Sequence, residues 1–254
     1  MSSSVQRKRI RKSPEARRAE IVETAAAVAL AEGLECLTLR RIADELDVRP
    51  GLISHYFPSV EDLVAEAFGT AAGAELEVLL PAGARAPTAT AAVAGPAGGA
   101  ALAGSAGLAG SAGLAGPAGA GAGAGVGADA STATERLARF FGRTSGEAYD
   151  AISRLWINAR HLSRYRPLLR DRVAEQEAAW RGRLEDVIRE GVEHGEFRTG
   201  DPYVTAIQIL VVLDGLGAHA NTEGRDRPDA VTRMAVTTAE RELGLPHGAL
   251  TRDT

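Results

Sequence analysis

Apolar residues recur at helical spacing through two stretches of the chain, roughly 14–80 and 132–243, and strand-like alternation is almost absent. Beginning near Pro14, Ile21, Ala25 and Val28 share one face, and Gly33 is the expected stop. Behind Thr38, a good capping residue, Leu39, Ile42, Ala43 and Leu46 fall at i, i+3, i+4 and i+7. Pro50 suits the first turn of a third, short helix, where its missing N–H is an orphan in any case. Ser59 and Asp62 have the spacing of a capping box, ahead of a fourth helix with Leu63, Val64, Ala67 and Phe68 on one side.

The second stretch predicts five more helices. Leu137, Phe140 and Phe141 form one apolar face; Tyr149, Ile152, Leu155, Trp156 and Ala159 form the next. A longer helix follows Pro167 and ends at Gly195, carrying Leu169, Val173, Trp180, Leu184, Val187 and Ile188. Asp201-Pro202 starts a helix that is apolar nearly all round and must therefore be covered on more than one side. A last helix follows Pro228, with Val231, Met234, Ala235 and Leu243. The reading is an all-α fold of about nine helices.

Between the two stretches the pattern collapses. Residues 81–128 carry Arg85 as their only charge and 14 of the 29 glycines, and "LAGSAG", "LAGSAG" and "LAGPAG" follow in tandem from residue 102. Units this small and poor in side chains cannot bury a continuous core, and glycine does not hold a strict third position. An Ala/Gly linker or expanded loop is expected.

Charge is uneven along the chain. The net charge is −4, yet residues 1–20 hold seven Lys/Arg against two acids, while 21–80 hold three Arg against eleven acids. A basic arm (Arg7, Lys8, Arg9, Arg11, Lys12) thus precedes an acidic body. The lone Cys36 excludes an internal disulfide and fits a reducing compartment. No apolar h-region follows the positive N-terminus, and no run of about 18 apolar residues is free of charges, glycines and prolines. Neither a secretory signal nor a membrane span is expected.

Catalytic and metal chemistry find little support. His55 has no second His, Cys or carboxylate at ligand spacing, and His161, His194, His219 and His247 are scattered. Ser54 and His55 are neighbours and point to different helix faces, with no nucleophile elbow. No metal, cofactor or catalytic residue is expected. Arginines near 160–172 suit either an anion-binding wall or a solvated helix end.

Two short helices, 38–46 and 50–56, joined by a tight turn, have helix-turn-helix dimensions. If Val48, Ile53 and Phe57 pack inward, the outward set is Arg49, Pro50, Gly51, Leu52, Ser54, His55 and Tyr56. That face is short of Lys and Glu, and it suits a major groove.

The stretch "RRAEIVETAAAVALAEGLECLTLRRIADELDVRPGLISHYFPSVEDLVAEAF" resembles the DNA-binding domain of TetR-family transcriptional regulators, and its "GLISHYF" resembles the BetI-like branch. The likeness covers about 14–80; "RLWINA", "GEFRTGDP" and "VLDGLG" resemble that branch's C-terminal domain. It implies that Thr38 and Arg40 face DNA, and that Pro50, Gly51, Leu52, Ser54, His55 and Tyr56 enter the major groove. Two departures stand out: Arg49 replaces the usual Ser or Thr and adds a phosphate-seeking charge, and Val60 replaces a phosphate-contacting Lys. The basic arm is expected to make up that loss on the DNA backbone.

The resemblance further implies a C-terminal ligand pocket, with Phe140, Tyr149, Trp156, Arg160 and Trp180 as candidate lining residues. Trp156 could hold a choline-like ammonium by cation–π attraction, or each Trp could be ordinary core; aliphatic linings favour a moderately apolar effector. Helices 201–221 and 227–243 are the expected homodimer face, through Ile207, Val211, Asp214, Gly215 and Met234, with Gly215 and Gly217 permitting close approach. The expected layout is a basic arm (1–13), a helix-turn-helix domain (14–59), a connecting helix (60–80), the Ala/Gly loop (81–131), a ligand-binding and dimerisation domain (132–243) and a tail (244–254). The expected function is a cytoplasmic, nucleoid-associated homodimeric repressor, released from a palindromic operator in double-stranded DNA by a small-molecule effector. An activator, a ligand-blind DNA binder, or an enzyme or sequestering protein on the same scaffold are the alternatives.

Overall fold

The computed structural model describes residues 12–82, 131–144, 146–222 and 228–251, so most of the Ala/Gly segment and arm residues Arg7, Lys8, Arg9 and Arg11 lie outside the described residues. Among the described residues there are ten α-helices and no strand: α1 (Pro14–Glu32), α2 (Leu39–Glu45), α3 (Pro50–Tyr56), α4 (Val60–Leu79), α5 (Ala133–Arg143), α6 (Glu147–Ser163), α7 (Pro167–Glu193), α8 (Pro202–Thr222), α9 (Asp229–Thr232) and α10 (Met234–Glu242).

The N-terminal helices end where local chemistry requires. Gly33, at φ 97°, closes α1 in a conformation that L side chains rarely adopt. The Thr38 hydroxyl accepts the N–H of Arg41 and caps α2. Asp47, at φ 49°, turns the chain toward α3, which starts at Pro50 as expected. Ser59 caps α4 by accepting from Glu61, so it binds at the second position rather than in the box with Asp62 that its spacing suggests.

Inside this domain Ile21, Leu34, Ile42, Ile53, Phe57, Leu63 and Phe68 are fully buried. Each such side chain contributes about 1.5–3 kcal/mol of burial, so Ile53 and Phe57 are the main anchors of α3 on the body. Val48 is only half-buried, at the edge of that core.

α4 leaves the first domain and packs against α1 on one side and α7 on the other. The carbonyls at its C-terminal end are not left orphaned: Leu80 O accepts from Arg183 at 2.6 Å and Val78 O from Arg143 at 2.7 Å. At the opposite end of the C-terminal bundle, Glu196 accepts from Ala133 N–H, Thr134 N–H and the Thr134 hydroxyl, tying the α5 N-terminus to the end of α7. Phe197 sits so tightly on α7 that a Cβ at Gly191 would lie 2.2 Å from its ring.

One expectation needs correction. The last helix is two pieces, broken at Arg233 between α9 and α10, and beyond it the chain folds back until Leu250 is buried and its N–H reaches Glu240. α8 packs against α6, α7 and α10, so it is covered on more than one side as expected; Thr205, Ala206, Ile209 and Leu213 are buried, while Tyr203, Val204 and Val211 are exposed. Its stretch Pro202–His219 is long and apolar enough to cross a membrane (mean hydropathy 1.2), and only 28% of it is buried within the chain.

Candidate functional site

The outward face of α3 is sparsely charged. Arg49, Pro50, Gly51, Ser54 and His55 are exposed, and nothing lies within 4 Å of where a Gly51 Cβ would stand. Leu52 and Tyr56 are half-buried instead of fully outward; Tyr56 follows buried Ile53 by three residues and packs on the flank of the core, its ring edge-on to His55 at 5.2 Å. The Ser54 hydroxyl turns back to the carbonyl of Pro50 at 3.2 Å. Arg49 precedes α3 without any side-chain cap.

The two adjacent arginines of α2 differ. Arg40 has a side chain 86% exposed, with Asp44 at a loose 3.9 Å. Arg41 is clamped by Glu32 and Glu45, both at 2.6 Å, and the hydrogen bonds it donates to these carboxylates push its pKa further up. Of the basic arm, Lys12 is described, and it pairs with Glu20 of α1 at 2.8 Å.

A cavity of about 260 Å³ opens among α4, α5, α6, α7 and α8. Phe140, Tyr149, Trp156, Arg160 and Trp180 all line it, as do Ile207, Val211 and Asp214, which were expected at the dimer face. Gly215 is exposed with open space beside it, and Met234 is exposed. Gly217 instead faces inward, where a Cβ would stand 3.1 Å from the Ser153 hydroxyl of α6.

Arg160 is not a free anion site. It donates to Glu177 at 2.9 Å and to Asp214 at 2.8 Å, and its guanidinium lies 5.1 Å from the centre of the Trp156 ring. Burial works against its charge, but the two carboxylates raise its pKa overall. Of the arginines beyond it, Arg166 lies near Glu61, Arg170 near Asp171 and Arg172 pairs with Glu175, as befits a solvated helix end more than an anion wall.

Glu75 of α4 is the residue that sequence reading missed. It accepts the Trp156 indole N–H at 2.9 Å, and among the described residues no Lys or Arg pairs with it. Burial pushes its carboxyl up to about 7, and the negative Asp214 adds to the shift. Tyr149 titrates well above the ordinary phenol range because it is buried, with Glu75 and Asp214 close enough to add to the effect. On α7 the Trp180 indole N–H is buried with no acceptor among the described residues. The sequence did hold a signal for Glu75: it falls three residues after Ala72 and four before Leu79, on the apolar face of α4.

α6 also touches the first domain, so α4 is not the only connection. The Leu34 N–H donates to Asn158 Oδ1 at 2.8 Å, and Asn158 Nδ2 donates to Glu35 at 2.5 Å. Asn158 lies two residues beyond the cavity residue Trp156.

Comparison with known proteins agrees with both halves. The family described as "Bacterial regulatory proteins, tetR family" matches residues 21–67, and the one described as "BetI-type transcriptional repressor, C-terminal" matches residues 133–244. Similar solved structures include a Rhodococcus sp. protein assigned to the TetR-family regulators (TM-score 0.62, 19% identity, covering 90% of this chain and 99% of that one). A transcriptional regulator from Pseudomonas aeruginosa PAO1 has TM-score 0.60 and 19% identity, over 94% of this chain and 95% of that one. One from Saccharomonospora viridis, solved in complex with choline, has TM-score 0.61 and 20% identity, over 90% and 98%. No curated protein matches the chain. With a DNA-binding helix-turn-helix at one end and a BetI-type helical domain at the other, the chain belongs to the TetR family of transcriptional regulators, in its BetI-like branch.

Proposed function

We propose that the protein is a cytoplasmic homodimeric repressor, released from a palindromic operator when a small molecule enters the cavity of its C-terminal domain. One observation carries the reading: α6 bears both Trp156 in the cavity wall and Asn158 on the DNA-binding domain. A molecule that displaces α6 therefore acts on the helix-turn-helix directly, and it lowers operator affinity by its differential binding to the two arrangements. The uncovered apolar face of α8, including Val211, together with Met234 favours pairing with a second copy. In such a dimer two α3 helices about 34 Å apart would read successive major grooves. Arg40, Arg49, Pro50, Gly51, Leu52, Ser54, His55 and Tyr56 are the proposed contacts, with the basic arm on the phosphates.

Footprinting across the DNA upstream of its own gene tests the reading, with one protected palindrome expected. Uniform coating, or no protection, would overturn it. A thermal-shift screen of metabolites, each hit then tried for operator release, tests the effector half.

A further inference from the structure

The cavity wall specifies more than a small apolar molecule. Its charges are Glu75, Glu177 and Asp214 against Arg160 and Arg181. Arg160 bridges Glu177 and Asp214, and Arg181 lies 5.4 Å from the centre of the Tyr203 ring. Glu75 remains: a largely buried carboxylate whose one partner among the described residues is the Trp156 N–H.

The Trp156 ring that a quaternary ammonium would need is already engaged. Arg160 covers it at 5.1 Å, and Phe68 packs edge-on at 5.0 Å. What the wall leaves unmet is hydrogen bonding: acceptor capacity on Glu75 and a buried donor without an acceptor on Trp180. A protonated amine answers the first demand with charge and N–H together, and a charge-assisted bond is stronger than a neutral one. A tetraalkylammonium supplies charge but no N–H.

We propose that the cavity selects a small organic amine in its protonated form, holding the N–H-bearing ammonium on Glu75 beside the Arg160–Asp214 pair, with the carbon frame against Phe140 and Trp180. The proposal rests on the cavity being the effector site. The class is defined by a cationic nitrogen with at least one N–H; an oxygen acceptor elsewhere on the molecule would suit Trp180.

Trp156 and Trp180 are the chain's 2 tryptophans and both line the cavity, so selectively excited tryptophan fluorescence reports on this site. The probes are 3-phenylpropylamine, its N,N,N-trimethylammonium counterpart and 3-phenylpropan-1-ol, titrated into the full chain and into Glu75→Gln near neutral pH. Gln keeps an acceptor for the Trp156 N–H, so the fold is retained. The amine is expected to bind roughly tenfold more tightly than either counterpart. In Glu75→Gln the amine should fall to within about threefold of the alcohol, whose own affinity is unchanged. If the alcohol or the trimethylammonium matches the amine, or if Glu75→Gln keeps the preference, the amine class is overturned while the effector cavity stands. If none of the three alters the fluorescence, both readings fall.

Discussion

The side-chain oxygen of Asn158 accepts the backbone N–H of Leu34 at 2.8 Å, joining α6 to the turn that follows α1 across 124 residues of sequence. The same amide donates to Glu35. Asn158→Ala removes both bonds and leaves a part-buried N–H without its partner. Urea unfolding should show a loss of about 1–2 kcal/mol with an unchanged m-value. Operator release by an effector should weaken in the same variant, and full-strength release would show that α6 does not transmit through this contact.

Glu75 makes stability depend on pH. Its folded pKa of about 7 lies above the ordinary value of 4.5, so the folded chain keeps a proton that the unfolded chain gives up between those pH values. Stability from this group therefore falls as pH rises from 4.5 to 7, and the penalty is complete above 7. Glu75→Gln should remove it. The variant should match the wild type near the lower end of that window and exceed it in alkaline buffer, by on the order of 2–3 kcal/mol at most. Parallel urea titrations across the window measure the difference.

Arg40 and Arg41 should separate cleanly. Arg40→Ala is expected to weaken operator binding by about 1–3 kcal/mol at little cost in stability. Arg41→Ala breaks the Glu32–Arg41–Glu45 clamp and should act on α2 instead, lowering the melting temperature with a smaller effect on DNA. Fluorescence anisotropy with labelled operator, beside thermal melts, distinguishes the two.

Removing residues 1–13 should flatten the dependence of operator affinity on salt, because the deleted Arg and Lys release counterions from phosphates. An unchanged slope would mean that the arm does not touch the DNA backbone.

Gly191→Ala places a methyl group inside the Phe197 ring, 2.2 Å from its nearest carbon. Overpacking of this kind costs about 1–3 kcal/mol or more, visible as a lowered melting temperature. Gly142→Ala is the control. It sits within α5 with nothing within 4 Å, and it should stabilise the chain by about 0.5–1 kcal/mol.

Much of the fold was readable because its punctuation is local. Gly33, Thr38, Pro50 and Gly195 act through their own backbone or hydroxyl, so no distant residue decides the outcome. The recognition helix followed from Ile53 and Phe57, whose spacing fixes the buried side and leaves the other outward. The five lining candidates met in one cavity because each lies on the apolar stripe of its helix, which already faces the bundle's interior. What escaped depends on packing at long range. Nothing near Asn158 in sequence points to Leu34, and the capture of Arg160 by Glu177 and Asp214 needs three helices in place at once.

Trp156 and Asn158 are two residues apart, and so about 200° apart around α6. Under the proposed function the signal would cross the width of one helix, about 10 Å, instead of running along a chain of side chains. Sensing and response would then be written on opposite sides of the same element. Substitutions at Tyr149, Ser153 or Trp156 would change the molecule detected while leaving the Asn158 linkage intact. A lineage built this way can acquire new signals without reinventing its switch.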